Sequence, residues 1–124
     1  DPVEYLDAFL NWFPEVLDRW QRAELHDPCN GSWLAFFQRV QLPAAGWKAR
    51  LSRGESIAVV TSAGVISTLA ASLCGYDLDW QRRLNVSLYN ASVTELGLDE
   101  AGGWRLGRVN CVAHLDPGAQ CTLA

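Results

Sequence analysis

Four small residues, Thr61-Ser62-Ala63-Gly64, lie between two apolar runs and are well suited to bind an anion. The run before them, Ile57–Val60, is rich in β-branched residues, and the run after them continues to Cys74, so the pattern predicts strand, turn and helix. Ligands of open α/β sheets collect at such turns, where the helix offers free N–H groups and the positive end of its dipole. We therefore predict an anion site here. The alternative is that the small residues only permit the turn and that Thr61 or Ser62 caps the helix.

The histidines do not form a recognisable catalytic group. His26 stands beside Asp27 in a predicted loop and is expected to be exposed, whereas His114 is expected to be a hydrogen-bonded structural residue. Ser62 as a nucleophile would need a base and an oxyanion hole, and the chain has no Gly-x-Ser-x-Gly elbow. No His, Asp or Glu cluster has metal-ligand spacing. We predict no catalytic residue, metal or cofactor within this sequence.

Arginines could supply the missing positive charge near the turn. Arg82 and Arg83 lie near the end of a predicted helix and are expected to be exposed. If one of them turned toward Ser62, its guanidinium would offer a fork of donors matched to phosphate oxygens.

Two long amphipathic segments precede the turn. The segment Asp1–Glu24 predicts a helix with its apolar residues on one face, which Pro14 is expected to kink or divide. The breakers in His26–Asn30 predict a loop, with Ser32 as a helix cap. A second helix is predicted from Ser32 to Ser52, irregular in its middle because of a proline and a glycine.

The elements after the turn are shorter. We predict a buried helix over Val65–Cys74 that Gly75 ends, and a further helix over Asp77–Leu84. The alternation in Ala91–Leu98 and Gly103–Val109 predicts an antiparallel hairpin. The remaining tail, residues 116–124, is predicted to be loose.

Composition indicates one soluble domain over residues 1–124. Of these residues 49% are hydrophobic and 19% are charged, as in ordinary globular proteins. The net charge of −4 disfavours nucleic-acid binding, which needs a basic surface. No apolar run is long enough to span a membrane, and the four cysteines form no Cys-x-x-Cys pair. We expect a cytoplasmic protein without nucleic-acid or membrane partners.

Three segments taken in order resemble the C-terminal half of the histidine phosphatase superfamily, the phosphoglycerate mutase-like proteins. Gly31-Ser32, followed by a helix with Arg39, is similar to the family's Gly-Glu-Ser segment, and Ser62 follows Ser32 by 30 residues. Val59–Ile66 is similar to the family's Val-Val-Ser-His-Gly-Gly-Val-Ile strand and turn. The third similarity is to the closing hairpin, in the segments Asn90–Leu96, Trp104–Leu106 and Val109–Leu115.

The resemblance implies a three-layer α/β fold, with a phosphoglycerate mutase-like sheet flanked by helices and a C-terminal antiparallel hairpin. It also implies that Ser62, Ala63 and Gly64 bind the phosphate of a small phosphorylated molecule. Two features depart from the family. The nucleophilic histidine of an Arg-His-Gly strand is absent from these 124 residues, and Ser62 replaces the second histidine, which removes a cationic donor.

Two functional interpretations follow from the resemblance. In the first, the complete protein is a phosphatase that acts through a phosphohistidine; the chain contains no Met, so an additional N-terminal segment with the Arg-His-Gly strand is expected. In the second, the domain is a pseudoenzyme that binds a phosphorylated ligand or a protein partner. A sheet that lacks strands would also expose an edge, which favours a homodimer.

Overall fold

The computed structural model describes residues 1–120, 122 and 123 of the chain. The chain forms two compact units, Asp1–Arg39 and Val40–Ala124. Cys121 and Ala124, which belong to the predicted loose tail, lie outside the described residues. The helices are α1 (Pro2–Gln21), α2 (Trp33–Ala44), α3 (Trp47–Ser52), α4 (Ala63–Cys74) and α5 (Leu78–Ser87), the strands are β1 (Leu96–Leu98) and β2 (Trp104–Leu106), and a 3₁₀ turn covers Pro117–Ala119.

Helix α1 confirms the first predicted helix but not its division. Its first turn is capped by Asp1, whose carboxylate accepts a hydrogen bond of 3.1 Å from the N–H of Val3. The helix continues through Pro14 as one element of 20 residues. A proline removes only one backbone donor, and a helix of this length keeps its hydrogen bonds on either side.

The end of the first unit is organised around Trp20. Its ring lies 5.3 Å from that of Trp33 and 5.5 Å from that of Phe36, and its indole N–H donates to the carbonyl of Gly31 at 2.9 Å. The predicted loop is present here. Two hydrogen bonds to its carboxylate lower the pKa of Asp27. The larger effect comes from the side-chain amide of Asn30 and the smaller from the backbone N–H of Cys29.

The helix predicted over Ser32–Ser52 is two helices. Ser32 caps α2 as predicted, since its hydroxyl accepts from the N–H of Ala35 at 3.1 Å. The chain leaves the helical path after Ala44, and α3 begins after Gly46. The irregularity that was predicted for the middle of this segment is therefore a break, and it separates α2 from α3.

The core of the second unit forms where α4 packs against α5 and the hairpin. It contains Ala63 and Ala70 from α4 and Leu84 and Leu88 from the α5 region. Four partly buried apolar side chains pack around it, namely Ile66, Trp80, Leu96 and Leu106.

Helix α4 ends and helix α5 begins at the positions that the sequence predicts. Gly75, with a φ of 79°, ends α4 in the left-handed conformation that glycine adopts without steric cost. Asp77 caps α5 by accepting a hydrogen bond of 2.8 Å from the N–H of Trp80. The predicted C-cap at Gly75 is confirmed, and the structure shows in addition that Asp77 is the N-cap of α5.

The predicted hairpin is confirmed, although its regular strands are short. Leu96 pairs with Leu106 and Leu98 with Trp104 in an antiparallel register. Irregular pairing continues beyond β1 and β2. The carbonyl of Glu95 accepts from Gly107 and its N–H donates to the carbonyl of Arg108, so one residue opposes two, as in a β-bulge.

The strand predicted at Ile57–Val60 is not present. Within the described part of the chain, the backbone of residues 56–61 makes no hydrogen bond, and the side chain of Val60 is fully exposed. β-Branched residues favour an extended backbone, but a strand exists only when a neighbouring strand completes the ladder of hydrogen bonds. The two-stranded β1–β2 sheet is thus the only sheet in the residues described, and the helices with this hairpin agree with an α/β fold.

Candidate functional site

Ser62 lies at the residue that precedes α4, as predicted. Its backbone is extended, with φ −93° and ψ 163°, and its side chain forms no capping hydrogen bond. The hydroxyl is exposed and has no partner among the residues that the structure describes. Ser62 therefore occupies the cap position without capping the helix, and its hydroxyl is available to a ligand.

The first turn of α4 has free backbone donors. The earliest intrahelical hydrogen bond joins the N–H of Ile66 to the carbonyl of Ser62 at 2.9 Å. The N–H groups of Ala63, Gly64 and Val65 therefore have no acceptor within the helix. Because the positive end of the helix dipole is at the same place, this turn is suited to an anion.

Hydrogen bonds from buried polar side chains hold the first turn of α4 in place. The carbonyl of Gly64 accepts hydrogen bonds from the hydroxyls of Thr68 at 2.7 Å and Ser67 at 3.2 Å. The Ser67 hydroxyl in turn accepts from the buried side-chain amide of Gln81 on α5 at 2.9 Å. These bonds tie the start of α4 to α5 and hold its free N–H groups in a fixed direction.

A large cleft of about 1060 Å³ opens beside Ser62. The cleft is lined by the extended segment Ser56–Ala63 and by the segment Leu88–Gly97, which includes the start of β1. Three apolar residues of α4, Ile66, Leu69 and Ala70, also line the cleft. The free hydroxyl of Ser62 therefore borders a space large enough for a ligand of considerable size.

Arg105 is the cation among the described residues that line this cleft, and Glu95 is the anion. The Glu95 carboxylate pairs with Arg108 at 3.1 Å, and this hydrogen bond and charge raise the pKa of the Arg108 guanidinium. Arg105 donates through Nε to the carbonyl of Leu98 at 3.4 Å. The guanidinium of Arg105 is exposed. The carboxylate of Glu95 does not neutralise it, because that carboxylate is paired with Arg108.

Sequence reasoning did not single out Arg105. It alternates with Trp104 and Leu106 along β2, a pattern that is typical of a solvent-facing residue of a hairpin. Only the tertiary structure shows that β2 borders the same cleft as Ser62.

The two arginines that were predicted as possible phosphate donors, Arg82 and Arg83, do not line the cleft. Arg82 and Arg83 both pair with Asp79 on their own helix, with N–O distances of 3.8 Å and 3.1 Å. His114, the histidine of the second unit, does not line the cleft. His26 is exposed in the first unit, as predicted, whereas His114 is exposed and lacks the hydrogen bond expected for it within the described chain.

No group of three or more potential metal ligands occurs within residues 1–120, 122 and 123. Cys29, Cys74 and Cys111 are free thiols, and burial raises the pKa of the Cys74 thiol. Cys121 lies outside the described residues. Among the helices described, none has the length and apolar character needed to cross a bilayer.

The order of elements and the cleft beside the start of α4 define an α/β domain with a helix N-terminus open to ligands. The family model of the histidine phosphatase superfamily (branch 1) matches residues 5–112, which is most of the chain. The chain belongs to this superfamily, and the resemblance found in the sequence is confirmed. No curated protein matches the chain, and no solved structure matches it.

Proposed function

We propose that this domain belongs to a phosphatase and binds the phosphoryl group of a phosphomonoester at the start of α4. The hydroxyl of Ser62 and the N–H groups of Ala63 and Gly64 donate to the phosphate oxygens. The observation that carries the proposal is the uncapped first turn of α4, with its exposed serine, in a chain of the histidine phosphatase superfamily. Such a turn offers several donors and a favourable dipole to one anion.

The chemical step requires a histidine from an Arg-His-Gly strand outside these 124 residues. Its imidazole nitrogen forms a bond to phosphorus, the bond to the alcohol oxygen breaks, and an acid protonates the departing oxygen. Water then cleaves the phosphohistidine to release phosphate. The donors at Ser62, Ala63 and Gly64 bind the equatorial oxygens and stabilise the charge that they carry during both transfers. In this arrangement the segment Ile57–Val60 is a strand of a three-layer α/β sheet.

Ser62 stabilises that charge without a positive charge of its own. The family uses a histidine at this position, whereas a serine hydroxyl contributes only a neutral hydrogen bond. Arg105 is the cation in the cleft, and its guanidinium is suited to the remaining phosphate oxygens.

A second candidate function is a non-catalytic module that binds a phosphorylated ligand. The observation that favours it is that His114, the histidine of the second unit, does not line the cleft beside Ser62. The anion site would be the same, and only turnover would be missing.

The binding site can be tested on the 124-residue chain with inorganic phosphate and vanadate. We expect the amide resonances of Ala63 and Gly64 to shift on titration. Ser62→Ala should weaken binding by about 10-fold or more, the loss of one hydrogen bond to an anion. Ser56→Ala is the matched control, because Ser56 lines the same cleft away from α4. Unchanged binding in Ser62→Ala would contradict the proposed site.

The two candidate functions differ in turnover. A longer form of the protein that carries an Arg-His-Gly strand should hydrolyse p-nitrophenyl phosphate, and replacing that histidine should abolish the activity. Phosphate binding without hydrolysis in such a form would favour the non-catalytic module. Absence of both would refute the two candidates together.

A further inference from the structure

We propose that Gln81 is a positioning residue of the anion site at the start of α4, although it lies on α5 and does not line the cleft. Through the hydroxyl of Ser67 it fixes the peptide unit between Gly64 and Val65, and the N–H of Val65 is a third backbone donor to the phosphoryl group. This role rests on the proposed function, because it concerns the same bound anion.

The side chain of Gln81 is polar and yet lies in the core. It is 1% exposed, and its side-chain amide donates to the fully buried hydroxyl of Ser67. Burying polar groups costs free energy, and replacing both partners of a hydrogen bond by apolar groups of the same shape can be neutral or stabilising. The packing of α4 on α5 therefore does not account for this amide, and its hydrogen bond to Ser67 indicates a further role.

The amide of Gln81 determines where the proton of Ser67 points. A hydroxyl carries one proton and two lone pairs. The Nε2 of Gln81 donates to the Oγ of Ser67 at 2.9 Å, which leaves the proton of Ser67 for the carbonyl of Gly64 at 3.2 Å. The buried hydroxyl of Thr68 donates to the same carbonyl at 2.7 Å. The carbonyl of Gly64 thus accepts hydrogen bonds from two buried hydroxyls.

These two hydroxyls act on the N–H of Val65, because the carbonyl of Gly64 and this N–H belong to one planar peptide unit. Hydrogen bonds that the carbonyl accepts polarise the unit and strengthen its N–H as a donor, and they also hold the orientation of its plane. The polarised donor is directed toward the open end of α4, where the helix dipole is positive.

The N–H of Val65 is at the position that a helix cap normally occupies. Val65 is the third residue of α4, and an N-cap side chain accepts from the N–H of the second or third helical residue. Ser62 forms no such bond, and the earliest intrahelical bond belongs to the N–H of Ile66. A phosphate oxygen therefore takes the place of the missing cap, with Val65 as one of its donors.

Gln81→Met tests the positioning role, since it removes the amide and keeps a side chain of similar length. We expect it to weaken binding of inorganic phosphate to the 124-residue chain by about threefold to fivefold, because a donor loses its polarisation and orientation but is not itself removed. Ala71→Gly is the matched control. It destabilises the buried part of α4 far from the first turn and should leave the dissociation constant unchanged. Thermal midpoints establish that both variants are folded.

A double variant tests whether Gln81 acts through Ser67. Ser67→Ala should weaken phosphate binding at least as much as Gln81→Met does. Combining the two should weaken it no further, because the amide then has no hydroxyl to orient. Thr68→Val keeps the shape of its side chain and removes the other hydroxyl on the carbonyl of Gly64, so it should also weaken binding. It provides the test if Gln81→Met does not fold.

The amide resonance of Val65 reports on the geometry directly. We expect its proton resonance to move to higher frequency as phosphate is added to the parent chain, together with those of Ala63 and Gly64. Its shift at saturation should be smaller in Gln81→Met and undiminished in Ala71→Gly. A general loss of stability would not produce this difference between the two variants.

Failure of the positioning role is distinguishable from failure of the anion site. Absence of phosphate binding by the parent chain would refute both. Binding by the parent that is equally strong in Gln81→Met and Ala71→Gly would refute only the role of Gln81, and so would additive losses in the double variant. A resonance of Val65 that stays in place while those of Ala63 and Gly64 shift would exclude Val65 as a donor.

Discussion

Ser62 is the residue whose role cannot be read from its type. Asp1, Ser32 and Asp77 also precede helices, and each accepts a hydrogen bond from the turn that follows. Ser62 has the same chemistry but leaves its turn uncapped. A serine before an apolar run is compatible with either state, so the sequence predicts the position and the structure decides that the donors of α4 are free.

Asn110 holds the hairpin region to the end of α5. Its side-chain carbonyl accepts from the N–H of Tyr89 at 2.8 Å, and its side-chain amide donates to the carbonyl of Ser87 at 2.8 Å. Its own N–H donates to the hydroxyl of Thr94 at 3.1 Å, and its φ is 55°, a left-handed conformation that asparagine tolerates well.

We expect Asn110→Ala to lower the free energy of unfolding by about 2 to 3 kcal/mol, because it removes two hydrogen bonds and because alanine tolerates the left-handed conformation less well than asparagine. Urea denaturation followed by fluorescence measures the change. Asn110→Gly is the matched control, since it removes the same bonds without backbone strain and should cost less than alanine. A cost of alanine below that of glycine would contradict this account.

At the scale of elements, the stability of α4 depends on its C-terminal cap as well as on the apolar side chains that it buries. It is apolar around most of its circumference and packs on α5 and β2, while Gly75 closes it in the left-handed conformation. A β-carbon at Gly75 would meet no atom within 4 Å, so its cost would come from the backbone alone.

Gly75→Ala should therefore destabilise the protein by about 1 kcal/mol, the penalty for a left-handed alanine. Gly118→Ala is the matched control, because its β-carbon is equally unobstructed and its φ is not positive. We expect that control to lie within about 0.5 kcal/mol of the parent protein. Thermal unfolding of the three proteins measures the difference, and equal midpoints for both variants would argue against the conformational explanation.

At the scale of the molecule, stability is concentrated in the α4–α5 core. Leu88, Gln81, Thr68 and Ser67 are its largest fully buried side chains. The segment Ile57–Val60 is attached directly to this core through Ser62 and yet has no backbone partner in the described chain. A hydrogen-bonded helix in the core and a segment whose backbone is unpaired are therefore only a few residues apart.

Native-state hydrogen exchange should reveal this boundary. We expect the amides of Ala58–Val60 to exchange at nearly the rate of an unfolded peptide, while those of Leu69–Ala71 are slower by at least about 1000-fold, a difference of roughly 4 kcal/mol in opening free energy. Exchange followed by NMR measures both sets in one sample. Slow exchange at Ala58–Val60 in the isolated protein would show that the segment is already paired.

The sequence by itself predicted most local structure. The helices, the hairpin, the cap residue Ser32 and the terminator Gly75 were predicted because their causes are local: apolar periodicity, a side-chain acceptor and a permissive backbone. The helices differ from prediction in how far a local breaker acts. Pro14 does not divide α1, whereas the predicted irregularity between Ala44 and Trp47 separates α2 from α3. The order of motifs was also sufficient to indicate the histidine phosphatase superfamily.

Only the tertiary structure decided what depends on distant residues. Ile57–Val60 has the composition of a strand, but pairing requires a neighbour from elsewhere, and the described chain supplies none. Arg105 and Ser62 are 43 residues apart in sequence and line one cleft because α4 packs on β2. Local propensity determines the shape of each segment, whereas long-range hydrogen bonding and packing determine which segments meet and which remain open.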